Sequence, residues 1–155
     1  MGSAGALQAN IGMGELIIAE GAVRDEGGSK SYIASEFPAI SDHRLVAALQ
    51  TFLSDQNIDF HLGIVRSHDS FYRDDEEAIC HYWSQRGVLG ADMETSALLT
   101  VGRLRQLQVA SILNNVVLYQ QDVQAGINSY VDAEAITMQG ERHAAQAALV
   151  ALTQS

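Results

Sequence analysis

The stretch "GVLGADMETSALLTVGRLRQLQVASILNNVVLY", residues Gly87 to Tyr119, sets a helix and a strand back to back. Residues 94–107, "ETSALLTVGRLRQL", read as a mostly buried helix, and 108–119, "QVASILNNVVLY", as a long strand. Outward from here the alternation continues. "DFHLGIVRS" (59–67) is a buried strand, followed by the amphipathic "DDEEAICHYWSQRG" (74–87). That helix is acidic at its start, which suits the positive end of its dipole, and closes on Gly87 as the expected C-cap. "ELIIAEGAV" (15–23) is a strand and "GGSKSYIASEFPA" (27–39) a loop. "SDHRLVAALQTFLSDQN" (41–57) is a helix with Ser41 as its expected N-cap, and "DAEAITMQGERHAAQAALVAL" (132–152) is a terminal helix. Strands separated by helices predict an α/β fold with a parallel or mixed central sheet flanked by helices. Ligands of such sheets sit beyond the carboxyl ends of the strands, which marks Arg66 to Arg73, Gly90 to Glu94 and Asn114 to Gln120.

The totals bound the rest. A chain of 155 residues that is 47% hydrophobic with one proline reads as a single domain, residues 1–155, able to bury about 70% of its unfolded surface. A formal net charge of −10 repels nucleic-acid polymers and anionic membranes, but local amides could still hold a small anion. A single cysteine, Cys80, fits a reducing compartment. No apolar run reaches the roughly 18 residues of a membrane span, and no secretion signal opens the chain. Met1-Gly2 resembles a myristoylation start, but Ala6 stands where Ser or Thr is needed. The expected location is the cytoplasm.

Few side-chain constellations carry chemistry. Ser67-His68-Asp69 are adjacent, and in an extended chain neighbours point to opposite sides, so they do not form a triad. Glu77 and His81 share a helical face, but no third ligand at a recognisable spacing joins them, so no metal is expected. "DDEE" (74–77) reads as a solvated helix start. Gly2, Gly5, Gly12 and Gly14 complete no phosphate-loop pattern and indicate tight turns. Glu94 stands apart: flanked by "GAD" and small residues, it is costly to bury without a partner. Its two oxygens could accept from a vicinal diol, with Met93 as an apolar wall, or it could cap a helix or pair with an arginine. On spacing alone both readings stand.

Together "GSAGALQANIGMGELIIAEGAVRDEG" (2–27), "FPA" (37–39), "SHDSFY" (67–72), "GADMETSALL" (90–99) and "ERHAAQAAL" (141–149) resemble the nucleoside phosphorylase family, on its uridine phosphorylase side, over essentially the whole chain. The resemblance implies reversible phosphorolysis of a nucleoside to free base and ribose 1-phosphate, with phosphate as co-substrate and no other cofactor. It implies Glu94 as the catalytic clamp on the ribose hydroxyls, with Met93 and Phe71 packing on the sugar and base and Asp92 beside them. Ser3, with the amides around Gly2 and Gly5, corresponds to the phosphate loop.

Three departures accompany it. The glutamine and arginine that read uracil are not reproduced; Asp75 and Glu77 fall near their places. Val117 stands where the purine branch carries its acid, which favours a pyrimidine. The chain begins inside the phosphate motif, so it is expected to be the C-terminal part of the family domain. Without the phosphate arginines that precede this point in relatives, its turnover is expected to be impaired. A non-catalytic nucleoside-binding module and an N-ribosyl hydrolase are the alternatives. A homo-oligomer is expected, with Tyr32 and Phe37 of the 19–39 segment in the contact.

Overall fold

The run Leu16-Ile17-Ile18-Ala19 has no polar alternation, because the strand that contains it is covered on both sides. In the computed structural model, which describes residues 1–70, 72–120 and 130–154, this is β2, Leu16–Asp25. Leu16 and Ile18 pack with Leu45, Leu49 and Leu53 and with Ala147. Ile17 and Ala19, on the other face, pack with Ala4, Ala6, Val65 and Leu113.

Around β2 the described residues form β1 (Gly2–Ala6), β3 (Ala39–Ile40), β4 (Phe60–His68), β5 (Gly90–Asp92) and β6 (Ser111–Val117). The helices are α1 (His43–Asp55), α2 (Glu76–Ser84), α3 (Thr95–Leu104) and α4 (Tyr130–Gln154). The sheet is mixed. β2, β4 and β5 run parallel, while β1 and β6 run parallel to each other and antiparallel to that group. The order β3-β2-β4-β5-β1-β6, with a further β6–β2 pairing, closes five strands into a circuit and leaves β3 outside it. α1 and α4 pack together on one side; α3 lies against β2, β3 and β4.

Several boundaries differ from the sequence reading. Gly2 and Gly5 were expected in tight turns, and 90–92 was assigned no element of its own; "GSAGA" and "GAD" contain no β-branched residue, and only their neighbours' ladders make them strands. The N-cap of α1 is Asp42 rather than Ser41. Asp42 accepts from the amides of Arg44 (2.9 Å) and Leu45 (3.3 Å), whereas the buried Ser41 donates to the Ala19 carbonyl at 2.6 Å. α2 stops at Ser84, and Gly87 takes the left-handed turn beyond it at φ +75°. α4 comes so close to the turn before β2 that a Cβ at Gly140 would collide with the Gly14 carbonyl and the Asn114 side chain. No helix among the described residues is long and apolar enough to cross a membrane.

Candidate functional site

Two amides at the start of α3 need acceptors, and their partners decide what Glu94 is free to do. Thr95 donates its amide to Asp92 Oδ2 at 2.9 Å, and Ser96 donates its amide to Ser67 Oγ at 2.8 Å. Ser67 in turn donates to Asp92 Oδ1 at 2.6 Å. Asp92, expected beside the sugar, is buried, and both of its oxygens are engaged within the protein, where they hold the first turn of α3. Ser96 Oγ extends the network by donating to Glu26 Oε1 at 2.8 Å. Glu26 also accepts from the amide of Ser29 at 2.7 Å and from its hydroxyl. Burial alone would push the Glu26 carboxyl up, but the bonds from Ser29 and Ser96 outweigh it and hold the group below its ordinary value.

Glu94 occupies the N-cap position of α3, yet its side chain makes no capping bond, because Asp92 and Ser67 already serve those amides. It is exposed rather than buried, so the desolvation expected from its neighbours does not arise. Glu94 lines a cavity of about 500 Å³, a volume suited to a small molecule. The cavity lies at the carboxyl ends of the parallel strands β4 and β5, against the length of β1 and the last residues of β6. β1 lines it through Ser3 and Gly5, the β5–α3 corner through Met93 and Glu94, α2 through Glu76 and Cys80, and the end of β6 through Val117.

Of the residues expected at the site, the structure therefore unites Ser3, Gly5, Asp92, Met93 and Glu94. Gly2 is exposed and does not line the cavity, and Phe71 lies outside the described residues. The expected phosphate loop is the body of β1: Gly2, Ser3 and Ala4 stand in register with Leu113, Asn114 and Asn115. The register shifts between Ala4 and Gly5, beside the cavity. The Ser67-His68-Asp69 side chains go separate ways. Ser67 meets Asp92, His68 Nδ1 faces the Ser70 carbonyl at 2.9 Å, and Asp69 accepts from the Gly27 amide at 2.8 Å. His81 Nε2 faces Gln85 at 2.9 Å, and no group of three or more possible metal ligands occurs among the described residues.

A family model described as the phosphorylase superfamily matches residues 1–149, the cavity walls included. The chain belongs to the phosphorylase superfamily. Within this superfamily it is uridine phosphorylase-like. It superposes on the crystal structure of uridine phosphorylase from Vibrio fischeri with a TM-score of 0.92 and 57% identity, over 99% of this chain and 62% of that one. Uridine phosphorylase of Treponema pallidum is 32% identical over 123 residues, 73% of this chain and 48% of that protein. Guanosine phosphorylase of Halorubrum lacusprofundi is 32% identical over 111 residues, 72% of this chain and 46% of that protein. The chain spans about half the length of the latter two relatives.

Glu76 and Cys80 are among the lining residues of this phosphorylase-superfamily chain that escaped the sequence reading. Glu76 sat inside an acidic run taken as solvated, but it is only partly exposed and accepts from Arg66 Nη1 at 3.2 Å. Cys80, one turn on, donates its thiol to the same Glu76 oxygen at 3.5 Å. Burial first, and Glu76 next, push that thiol up to about 11, so it stays protonated. The available signal was the four-residue spacing of Glu76 and Cys80, which puts both on one face of the helix that follows β4.

Proposed function

We propose that the cavity binds a nucleoside and that the reaction it serves is reversible phosphorolysis: phosphate attacks C1′, the C1′–N bond breaks, and its electron pair leaves with the base. The products are ribose 1-phosphate and the free base. The likeness to two uridine phosphorylases supports a pyrimidine nucleoside. One observation carries the reading. Glu94, relieved of helix capping by Asp92 and Ser67, lines the cavity with Met93, and its carboxylate is left to accept from both ribose hydroxyls. As positive charge builds on the ribose, a carboxylate held to its hydroxyls strengthens its hold, which is the differential binding that lowers a barrier.

A second reading has an observation of its own. The described lining of the cavity carries Glu76, Glu77, Asp92 and Glu94, and no lysine or arginine. Phosphate is held chiefly by charge-assisted bonds from cations. This lining favours a chain that binds nucleoside and turns it over slowly. Base release by the purified chain, followed with and without phosphate, separates the readings. Slow, phosphate-dependent release is expected. Phosphorolysis at about 1 per second or faster would refute the impairment, release that ignores phosphate would indicate an N-ribosyl hydrolase, and binding without any release would leave a binding module. A cytoplasmic setting is supported by the single half-buried thiol.

A further inference from the structure

Arg66 is fully buried at the end of β4 and is held between two carboxylates, Asp25 Oδ2 at 2.8 Å from Nε and Glu76 Oε1 at 3.2 Å from Nη1. Its Nη2 has no hydrogen-bond partner, and neither has Glu76 Oε2, although both atoms are shut off from water. An acceptor kept dry and unpaired is costly, and this one belongs to a residue that lines the cavity. Two anions share one guanidinium here, and Glu77 and Glu94 line the same cavity, so this wall favours a hydrogen-bond donor over another acceptor. The terminal torsion of a glutamate is soft. One Glu76 oxygen can turn to an incoming N–H while the other stays on Arg66.

We propose that Glu76, positioned by the buried Arg66, reads the ring N–H of an imide base of the uracil type. This rests on the reading of the cavity as a nucleoside site. Glu94 and Glu76 stand on different elements, the start of α3 and the start of α2, and divide the ligand between a sugar end and a base end. An imide N–H between two carbonyls is an acidic donor, and its bond to a carboxylate is of the strong, charge-assisted kind. A base methylated at that nitrogen offers no donor and leaves Glu76 Oε2 unpaired, so discrimination comes from the cost to the protein as well as from the lost bond.

Calorimetric titrations with uridine, 3-methyluridine and ribose 1-phosphate test this on the wild-type chain, on Glu76→Gln, and on the paired variant Arg66→Met/Glu76→Met, which removes both buried charges together and leaves only the solvent-reached Asp25 without its partner. Wild type is expected to favour uridine over 3-methyluridine by about 10- to 100-fold. That preference shrinks in Glu76→Gln and disappears in the paired variant, while ribose 1-phosphate binds all three alike. Equal binding of uridine and 3-methyluridine by wild type, with ribose 1-phosphate bound, overturns the Glu76 assignment alone. So does a preference that survives in the paired variant, since it would be steric. If wild type binds neither uridine nor ribose 1-phosphate, the nucleoside reading fails and this inference with it.

Discussion

Asp92 and Glu94 are both carboxylates of "GADMET", two positions apart, and their environments give them opposite tasks. Asp92 is 4% exposed and bonded by Ser67 and the Thr95 amide; Glu94 is exposed and makes no capping bond. Asp92→Ala would leave the Thr95 amide and the Ser67 hydroxyl without their acceptor in a buried place. A loss of about 2–3 kcal/mol in denaturant unfolding is expected, because each buried polar group stripped of its partner costs about 1–3 kcal/mol. A neutral result would mean that α3 starts without this cap. The motif made Glu94 and Met93 legible from the sequence, but it could not show which acid serves the helix, since that depends on Ser67 arriving from β4. Glu76 was hidden for a similar reason: within "DDEE" it looks like its solvated neighbours until buried Arg66 reaches it from the strand.

At the scale of elements, the loop after β2 is tied to α3 through Glu26, which bonds Ser29 on one side and Ser96 on the other. Its carboxyl lies below the ordinary value of 4.5 in the folded chain, despite the opposing effect of burial, because Ser29 and Ser96 stabilise the charged form. A depressed carboxyl adds stability above its unfolded value, and that stability is lost as pH falls through the folded value. The difference in stability between wild type and Glu26→Gln should therefore be constant at neutral pH and shrink below about pH 4.5. Urea midpoints measured from pH 7 to pH 3 check this; a difference that grows on acidification would contradict it. The elements rich in isoleucine, leucine or helical spacing were readable: β2, β4, β6, α1 and α3. β1 and β5 were not, because glycine and alanine have no strand preference of their own and are held by pairing with β6 and β4.

At the scale of the whole molecule, the net charge of −10 and the acidic cavity bear on the proposed binding of a nucleoside and phosphate. Tyr32 is 60% exposed in the loop after β2, with Phe37 partly exposed nearby. We expect this face to join a second copy of the chain, and sedimentation at micromolar concentration should show at least a dimer that Tyr32→Glu weakens. A compact monomer would remove that expectation. Whether Glu94 accepts from the ribose hydroxyls is tested by calorimetric titration of uridine and of uracil into wild type and Glu94→Gln. The variant is expected to lose about 1.5–3 kcal/mol of affinity for the nucleoside, the worth of charge-assisted bonds to the diol, while uracil binds as before. Equal losses for uridine and uracil, or no loss for either, would contradict it.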